Sequence, residues 1–402
     1  YKRGEQMQAM KFNGSGSEYF KIWIVNILLT IVTLTLYYPW AKVRNRRYFY
    51  GNTELDNQNF EYHATGKQLF AGYLIAIVAL IAYVVIQQVS PVGGVVVFLI
   101  LFLAIPWIVW RSLIFNMRVS SYSNVRFGFA GKLGGAYFNF LLLPIFLFLA
   151  VYGFPIMAAI LAPTADGDVA SVGPMVGVFF FIGLAVAAYL YGVMKQCNNA
   201  YIINGSRFGQ GEFKTDLKAG PFVIFLLKAI GLTILGIFGL LLLISIAAML
   251  MGAGAQLGDL GAAFGDPEAM NDIFANSLVI SIVVVMYIGL LFLSIAIFTY
   301  LQVRQREYIL KNSTIDGRIG LASTMSARSL AWVSFSNLLA IIVTLGLAIP
   351  WASVRMARYV ANHTQVDTSQ GFSDYVSQRQ SEQSSLGDQL GDAFDVDIGI
   401  GI

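Results

Sequence analysis

Arginine and lysine set beside tryptophan, where an apolar run ends, are the residues of this chain best placed to do chemistry. That chemistry is the binding of anions. The fullest block reads Pro39-Trp40-Ala41-Lys42-Val43-Arg44, followed by Arg46, Arg47, Tyr48, Asn52, Thr53 and Asp56. Pro350-Trp351-Ala352-Ser353-Val354-Arg355, with Arg358, Tyr359, Thr364 and Asp367, repeats it without a gap. Arg304, Arg306, Tyr308, Asn312, Ser313 and Asp316 repeat its second half. Pro106-Trp107 with Arg111, and Lys195 with Tyr201 and Ser206, are weaker copies. Indoles at an apolar–polar boundary anchor a chain at the membrane surface, and adjacent cations reach lipid phosphates. Trp40, Trp107 and Trp351 with Lys42, Arg44, Arg46, Arg47, Arg304, Arg306, Arg355 and Arg358 are therefore the candidate interface anchors. Anionic lipid headgroups are the expected partners.

Other chemistry has little to stand on. His63 and His363 lie in different places within their blocks, and there is one cysteine, Cys197. Metal spacing and a disulfide framework within the chain are both missing from that inventory. The sequence has no phosphate-binding glycine loop with a following lysine and no nucleophile elbow. It reads as a protein that is not an enzyme, with no cofactor and no nucleic-acid partner. The apolar segments hold too few acids for a proton-coupled pump. Lys228, about seven residues into its segment, is close enough to snorkel to a surface, and Asn139 suits a bond to a neighbouring helix.

The elements that must position these residues are set by composition. Of 402 residues 57% are hydrophobic and 12% charged, with a mean hydropathy of +0.68. This is the profile of a polytopic membrane α-helical protein. Apolar stretches run approximately over 20–38, 68–88, 92–113, 136–162, 174–194, 221–251, 277–301 and 330–349. The six between 68 and 301 reach the roughly 20 residues a crossing needs. Pro144 and Pro155 mark kink sites in the fourth. The polar N-terminal residues lack the apolar core of a cleavable signal.

Charge orients the segments. Segments 39–67, 111–135, 195–220 and 302–329 carry the lysines and arginines, whereas 89–91, 163–173 and 252–276 contain none. The basic segments are thus expected in the cytoplasm. Only the stretch 330–349 separates the fourth basic segment from Arg355, so a full crossing there would put Arg355 and Arg358 outside. The stretch 20–38 is its match, with Asn26, Thr33 and Leu34 at the offset of Asn337, Thr344 and Leu345. The preferred expectation is six full transmembrane helices plus two re-entrant segments. In those, Asn26 and Asn337 would bond turned backbone rather than face lipid. Eight ordinary spans is the alternative.

The basic blocks (39–62, 106–127, 192–213, 299–320 and 350–367) also predict cytoplasmic β-hairpins, which would pair into one sheet. In the first, Tyr48-Phe49-Tyr50 and Phe60-Glu61-Tyr62 are the expected strands around Asn57-Gln58. In the fourth, Tyr308-Ile309-Leu310 leads to Asp316-Gly317. Residues 1–363 form the membrane domain in this reading. The tail 364–402 has seven acids and one arginine. Its Ser- and Gln-rich middle reads as a linker, and Leu386, Leu390 and Phe394 as a short amphipathic helix. Docking of this acidic tail on the basic face is the sharper expectation, a solvated tail the other. Asp266-Pro267-Glu268 reads as the start of a short helix.

The run from Glu18-Tyr19-Phe20-Lys21-Ile22-Trp23 through Pro39-Trp40-Ala41-Lys42-Val43-Arg44 to Arg46-Arg47-Tyr48-Phe49-Tyr50-Gly51-Asn52-Thr53 resembles the YjgN-like family of bacterial inner-membrane proteins. The likeness continues through Phe60 to Gly66. It departs at Asn57 and at Thr35, where the family pattern favours glycine. The resemblance implies a multi-pass protein of the cytoplasmic membrane, catalogued as a domain of unknown function, and carries over no catalytic residue. Two functions stay open: a passive channel or carrier for a small solute or lipid, and a scaffold organising lipid or partners without transport. Further copies of the chain are an open partner.

Overall fold

The structure, a computed structural model, describes residues 7–161, 169–250, 277–369 and 371–382. The expected helices at 266–268 and 386–394 lie outside the described residues. The chain divides into two compact units: Tyr1–Val223 with Arg306–Met325 and Ala340–Ile402, and Ile224–Gln305 with Ser326–Leu339.

Among the described residues six helices are long and apolar enough to cross a membrane: Gly66–Val89, Pro91–Arg118, Leu133–Ala158, Val176–Gly205, Ala219–Ala247 and Ile280–Lys311. Helices satisfy every backbone donor internally, which hydrocarbon demands. We label the elements they belong to α3 (Gly66–Val89), α4 (Pro91–Arg118), α8 (Val169–Gly205), α9 (Ala219–Leu250) and α10 (Ser277–Lys311). The third crossing is built of α5 (Leu133–Tyr137), α6 (Leu143–Phe148) and α7 (Phe154–Leu161), linked by π-turns at Phe138–Leu142 and Leu149–Gly153. Each π-turn directly precedes an expected kink site, Pro144 or Pro155. Proline lacks an N–H and crowds the carbonyl four residues back, and a widened turn accommodates both. Asn139 is buried in the first π-turn and donates to Gly135 O at 2.7 Å, its own helix rather than a neighbour.

The basic blocks meet in one 11-stranded antiparallel sheet of the first unit, in the order β1-β11-β10-β9-β8-β7-β6-β5-β4-β3-β2. The strands are β1 (Met7–Ala9), β2 (Lys11–Phe12), β3 (Thr53–Leu55), β4 (Gln58–Tyr62), β5 (Ser120–Tyr122), β6 (Val125–Phe129), β7 (Ser206–Phe208), β8 (Gly211–Thr215), β9 (Ser313–Ile315), β10 (Ile319–Ser323) and β11 (Thr364–Asp367). The two ends of this order, β1 and β2, are consecutive pieces of one strand separated by Met10. Gln8 pairs with Val366 on one side and Lys11 with Glu54 on the other, while Met10 N–H donates to Thr364 O at 3.0 Å. The sheet therefore closes on itself as a barrel and leaves no free edge.

Local chemistry explains each step into the sheet. Each of the five strands that directly follow a helix starts with Ser or Thr whose hydroxyl donates back to the last turn of that helix: Thr53 to Phe49 O, Ser120 to Asn116 O, Ser206 to Ile202 O, Ser313 to Ile309 O and Thr364 to Val360 O, all at 2.6–2.8 Å. Such a bond closes a helix end whose carbonyls have lost their backbone donors. The turns need left-handed backbone. Asp56-Asn57 and Ser123-Asn124 both have positive φ at each residue, which Asn and Asp tolerate, and Gly209 supplies it at φ 55°. Asn57, the departure from the family pattern, thus fits its turn. The expected strands at Tyr48–Tyr50 and Tyr308–Leu310 are instead helical, because α2 (Tyr38–Gly51) and α10 run on until the Ser/Thr stop.

Inward-facing residues fill the bore. Leu55, Tyr122, Phe208, Ile315 and Val366 form one buried cluster with Val125 and Ile319, and Met10, Phe60, Phe127, Phe213 and Leu321 pack against it. Ladder register sets Phe60 opposite Tyr122, Phe127 opposite Phe208, Phe213 opposite Ile315 and Leu321 opposite Val366. The tail supplies the remaining members. Thr364–Asp367 is a barrel strand rather than tail, and the expected linker forms helix α13 (372–382). Phe372, Tyr375, Val376 and Arg379 recur at helical spacing, and the first three join the bore cluster.

Two shorter helix pairs complete the first and last blocks. Helix α1 (Gly16–Val32) turns through 33–37 into α2, and α11 (Ala327–Val343) turns through 344–348 into α12 (Ile349–Asn362). The turns match bond for bond. Thr33 Oγ1 donates to Leu29 O and accepts from Tyr37 N–H; Thr344 Oγ1 does the same with Ala340 O and Ala348 N–H. Seventeen residues of helix span only about 25 Å. Each pair leaves from and returns to strands that pair with one another, β2 with β3 and β10 with β11.

In the second unit Ile244 and Ile282 are buried with Leu240 and Met286. Phe292 and Phe335 lie with ring centroids 4.1 Å apart. Asn337 is buried in this unit, and Lys228 is exposed.

Candidate functional site

The candidate site is the junction of the barrel with the helix ends that feed it, where Arg46, Arg47, Arg306 and Arg358 of the basic blocks make their contacts. Arg46 donates to Tyr62 Oη at 2.9 Å and to Asn116 Oδ1, and lies 5.3 Å from the Tyr62 ring centre. Arg47 Nη2 donates to Ala64 O at 2.8 Å, and Arg358 Nη2 to Gly14 O, also at 2.8 Å. Both carbonyls belong to the residue just before a helix cap, Thr65 or Ser15, so the two arginines make the same tie. Arg44 Nη1 reaches Asn26 Oδ1 and Tyr37 Oη, each at 3.3 Å. Arg304 and Arg355 are exposed. Asn26 is buried and donates to Asn45 Oδ1 at 2.9 Å. With Lys42 and Arg46 it borders a cavity of about 360 Å³.

The tryptophans divide. Trp40 packs against Phe70, tilted with ring centroids 5.2 Å apart, and covers the backbone of Gly66; Trp351 packs likewise against Phe20 at 5.1 Å and covers Gly16. Both glycines are the first residue of a helix, and both partner rings stand four residues further on. Trp107 is half-exposed. Trp110, which stands outside the Pro-Trp pairs, donates from Nε1 to Gly131 O at 2.7 Å.

Tyrosines of the blocks have a shared role that spacing alone did not disclose. Ser15 N–H donates to Tyr48 Oη at 2.8 Å, Tyr201 Oη donates to Lys132 O at 2.9 Å, and Lys218 N–H donates to Tyr308 Oη at 2.9 Å. Each ties the end of one helix to the start of another.

A second cavity, about 520 Å³, lies between α2, α12 and the strands, lined by Met10, Phe49, Phe60, Met356 and Val360 among others, with Arg306 as its one cation. At the covered mouth of the bore Arg379 Nη2 and Asp316 Oδ2 form an ion pair at 2.6 Å, and Tyr375 Oη donates to the same oxygen at 2.7 Å. Burial works against the Asp316 carboxylate, but hydrogen bonds from Glu212 N–H and Tyr375 and the Arg379 charge outweigh it and hold its pKa below the ordinary value. Burial, then the bond to Asp316, pushes the Tyr375 pKa up to about 12.

His63 lies exposed in the loop between β4 and α3. Its Nε2 lies 2.7 Å from Ser121 Oγ and 3.3 Å from Glu61 Oε2. Serine and acid share one ring nitrogen, whereas a catalytic relay needs them on opposite nitrogens. Among the described residues no group of three or more His, Cys, Asp or Glu is set to hold a metal.

Six helices long and apolar enough to cross a membrane define a polytopic α-helical membrane protein. The chain belongs to the family described as Bacterial protein of unknown function (DUF898), which it matches over residues 7–393. It is 29% identical to Inner membrane protein YjgN of Salmonella typhimurium over 88% of this chain and 87% of that protein. It is 26% identical to the proteins of that name from Escherichia coli O157:H7 and K12, with the same coverage. No solved structure matches it. With these relatives and its crossings, the chain is an inner-membrane protein.

Proposed function

We propose that this protein organises lipid at the cytoplasmic face of the inner membrane, without conducting solutes or catalysing a reaction. One observation carries the reading: the bore of the barrel is filled by apolar side chains, and α13 seals its mouth. A conduit needs a polar path, and a closed apolar interior does not provide one. The basic segments supply the orientation, with the barrel on the cytoplasmic side. Helix pairs α1–α2 and α11–α12 then enter the bilayer and return, leaving six full crossings and five basic hairpins on one face.

A second reading, a passive channel or carrier for a small solute or lipid, draws on the polar cluster of Asn26, Asn45 and Arg44 beside its cavity. Liposomes loaded with a self-quenching anionic dye test both. The organiser leaves leakage at the level of empty liposomes and retains phospholipid through purification, as native mass spectrometry would report. Protein-dependent leakage sinks the proposal and favours passage.

A further inference from the structure

We infer that the cavity at Arg306 binds a single-chain anionic amphiphile, a long-chain carboxylate or a lysophospholipid phosphate, with the head on Arg306 and Thr364 and the chain among apolar residues. This deepens the organiser reading by naming a ligand class and a site.

The argument begins with two arginines in one position. Arg46 in Val43-Arg44-Asn45-Arg46 and Arg306 in Val303-Arg304-Gln305-Arg306 stand at the same place in their blocks. Arg46 is satisfied by Tyr62 and Asn116. Tyr62 stands opposite Ser120 in the ladder, as Ser323 stands opposite Thr364. Asn116 precedes Ser120 by four residues, as Val360 precedes Thr364. Around Arg306, therefore, a serine too short to reach and a valine replace both polar partners.

The consequences are visible. Arg306 Nη2 donates to Thr364 Oγ1 at 2.7 Å. Its Nε is buried without a hydrogen-bond partner among the described residues, and so is Ser323 Oγ. Among those residues no carboxylate lies within ion-pair distance of Arg306. The space left by the missing partners is the cavity of about 520 Å³, bordered by Met10, Phe49, Phe60, Met356 and Val360. An enclosed guanidinium without a counter-ion is costly, and a ligand anion offsets that cost. The volume is in the range of small-ligand sites, which admits one acyl chain rather than a whole two-chain phospholipid.

The test uses the full chain in phosphatidylcholine nanodiscs, titrated with dansyl-undecanoate and with its neutral methyl ester. The carboxylate is expected to bind at least tenfold more tightly than the ester. Arg306→Gln should remove that difference, Arg306→Lys should keep part of it, and Ala357→Phe, which fills the cavity, should weaken both probes. Equal binding of acid and ester to the unaltered chain overturns the proposal, even where Arg306→Gln fails to fold. Displacement by oleate but not lyso-phosphatidylglycerol assigns the carboxylate, the converse assigns the phosphate, and displacement by neither also overturns it. Dye leakage from liposomes would refute the organiser reading while leaving this site intact, so the two fail separately.

Discussion

The indole of Trp351 occupies the space that a side chain on Gly16 would fill, joining the last helix pair to the first residue of the first helix. Trp40 and Gly66 make the same joint between α2 and α3. The match follows from barrel closure: β11 and the N-terminal strand form one composite hairpin, with α12 and α1 in the places of α2 and α3.

That joint predicts the cost of filling it. Gly16→Val and Gly66→Val displace an indole and are expected to destabilise by about 1–3 kcal/mol, as overpacking does. Gly72→Ala, with nothing within 4 Å of the added carbon, should stay within about 0.5 kcal/mol. Thermal unfolding in detergent separates the cases; equal shifts at Gly16 and Gly72 would refute the joint.

The first helix-pair turn carries strain that the second avoids. Thr35 has φ 73°, a left-handed value unfavourable for a β-branched residue, where the matching position holds Gly346 at φ 94°. Thr35→Gly should stabilise by about 1 kcal/mol, and Gly346→Thr should destabilise by a similar or larger amount. Opposite signs in the same melting assay are the expected outcome.

The mouth of the bore should respond to acid. The Asp316 carboxylate has a lowered pKa when α13 is docked, so its contribution is fully present above the ordinary carboxylate pKa. The contribution is lost as pH falls through the lowered value, below about pH 4. Asp316→Asn should weaken docking by roughly 1–3 kcal/mol at neutral pH. Amide exchange of residues 372–382 reads this directly: faster exchange in the variant, and at low pH beyond the intrinsic rate change, is expected.

Topology has its own measurement. In a Cys197→Ser background, Asp374→Cys should react with a membrane-impermeant maleimide only after spheroplasts are opened. Labelling from the periplasm would establish eight crossings in place of six with two returns.

How far the sequence reaches depends on the range of the interaction. The crossings, the basic blocks and the Pro144 and Pro155 sites were legible because hydropathy, charge and missing N–H groups act within about one helix turn. The correspondence of Thr33 with Thr344 was legible because identical turns need identical residues. The exact strands were not, because Tyr48–Tyr50 has strand propensity but is captured by α2, which ends only where the Thr53 hydroxyl closes its last turn.

The sequence by itself determined a multi-pass membrane protein, its basic face and its family, since composition and local pattern specify transfer to lipid. Only the tertiary structure decided that residues 7–12 close a barrel against 53–55 and 364–367, that 372–382 seals its bore, and that Arg306 loses the partners Arg46 keeps. Those outcomes rest on contacts between segments distant in the chain, from Lys11 with Glu54 to Met7 with Asp367, and no local periodicity encodes which distant edge a strand will meet.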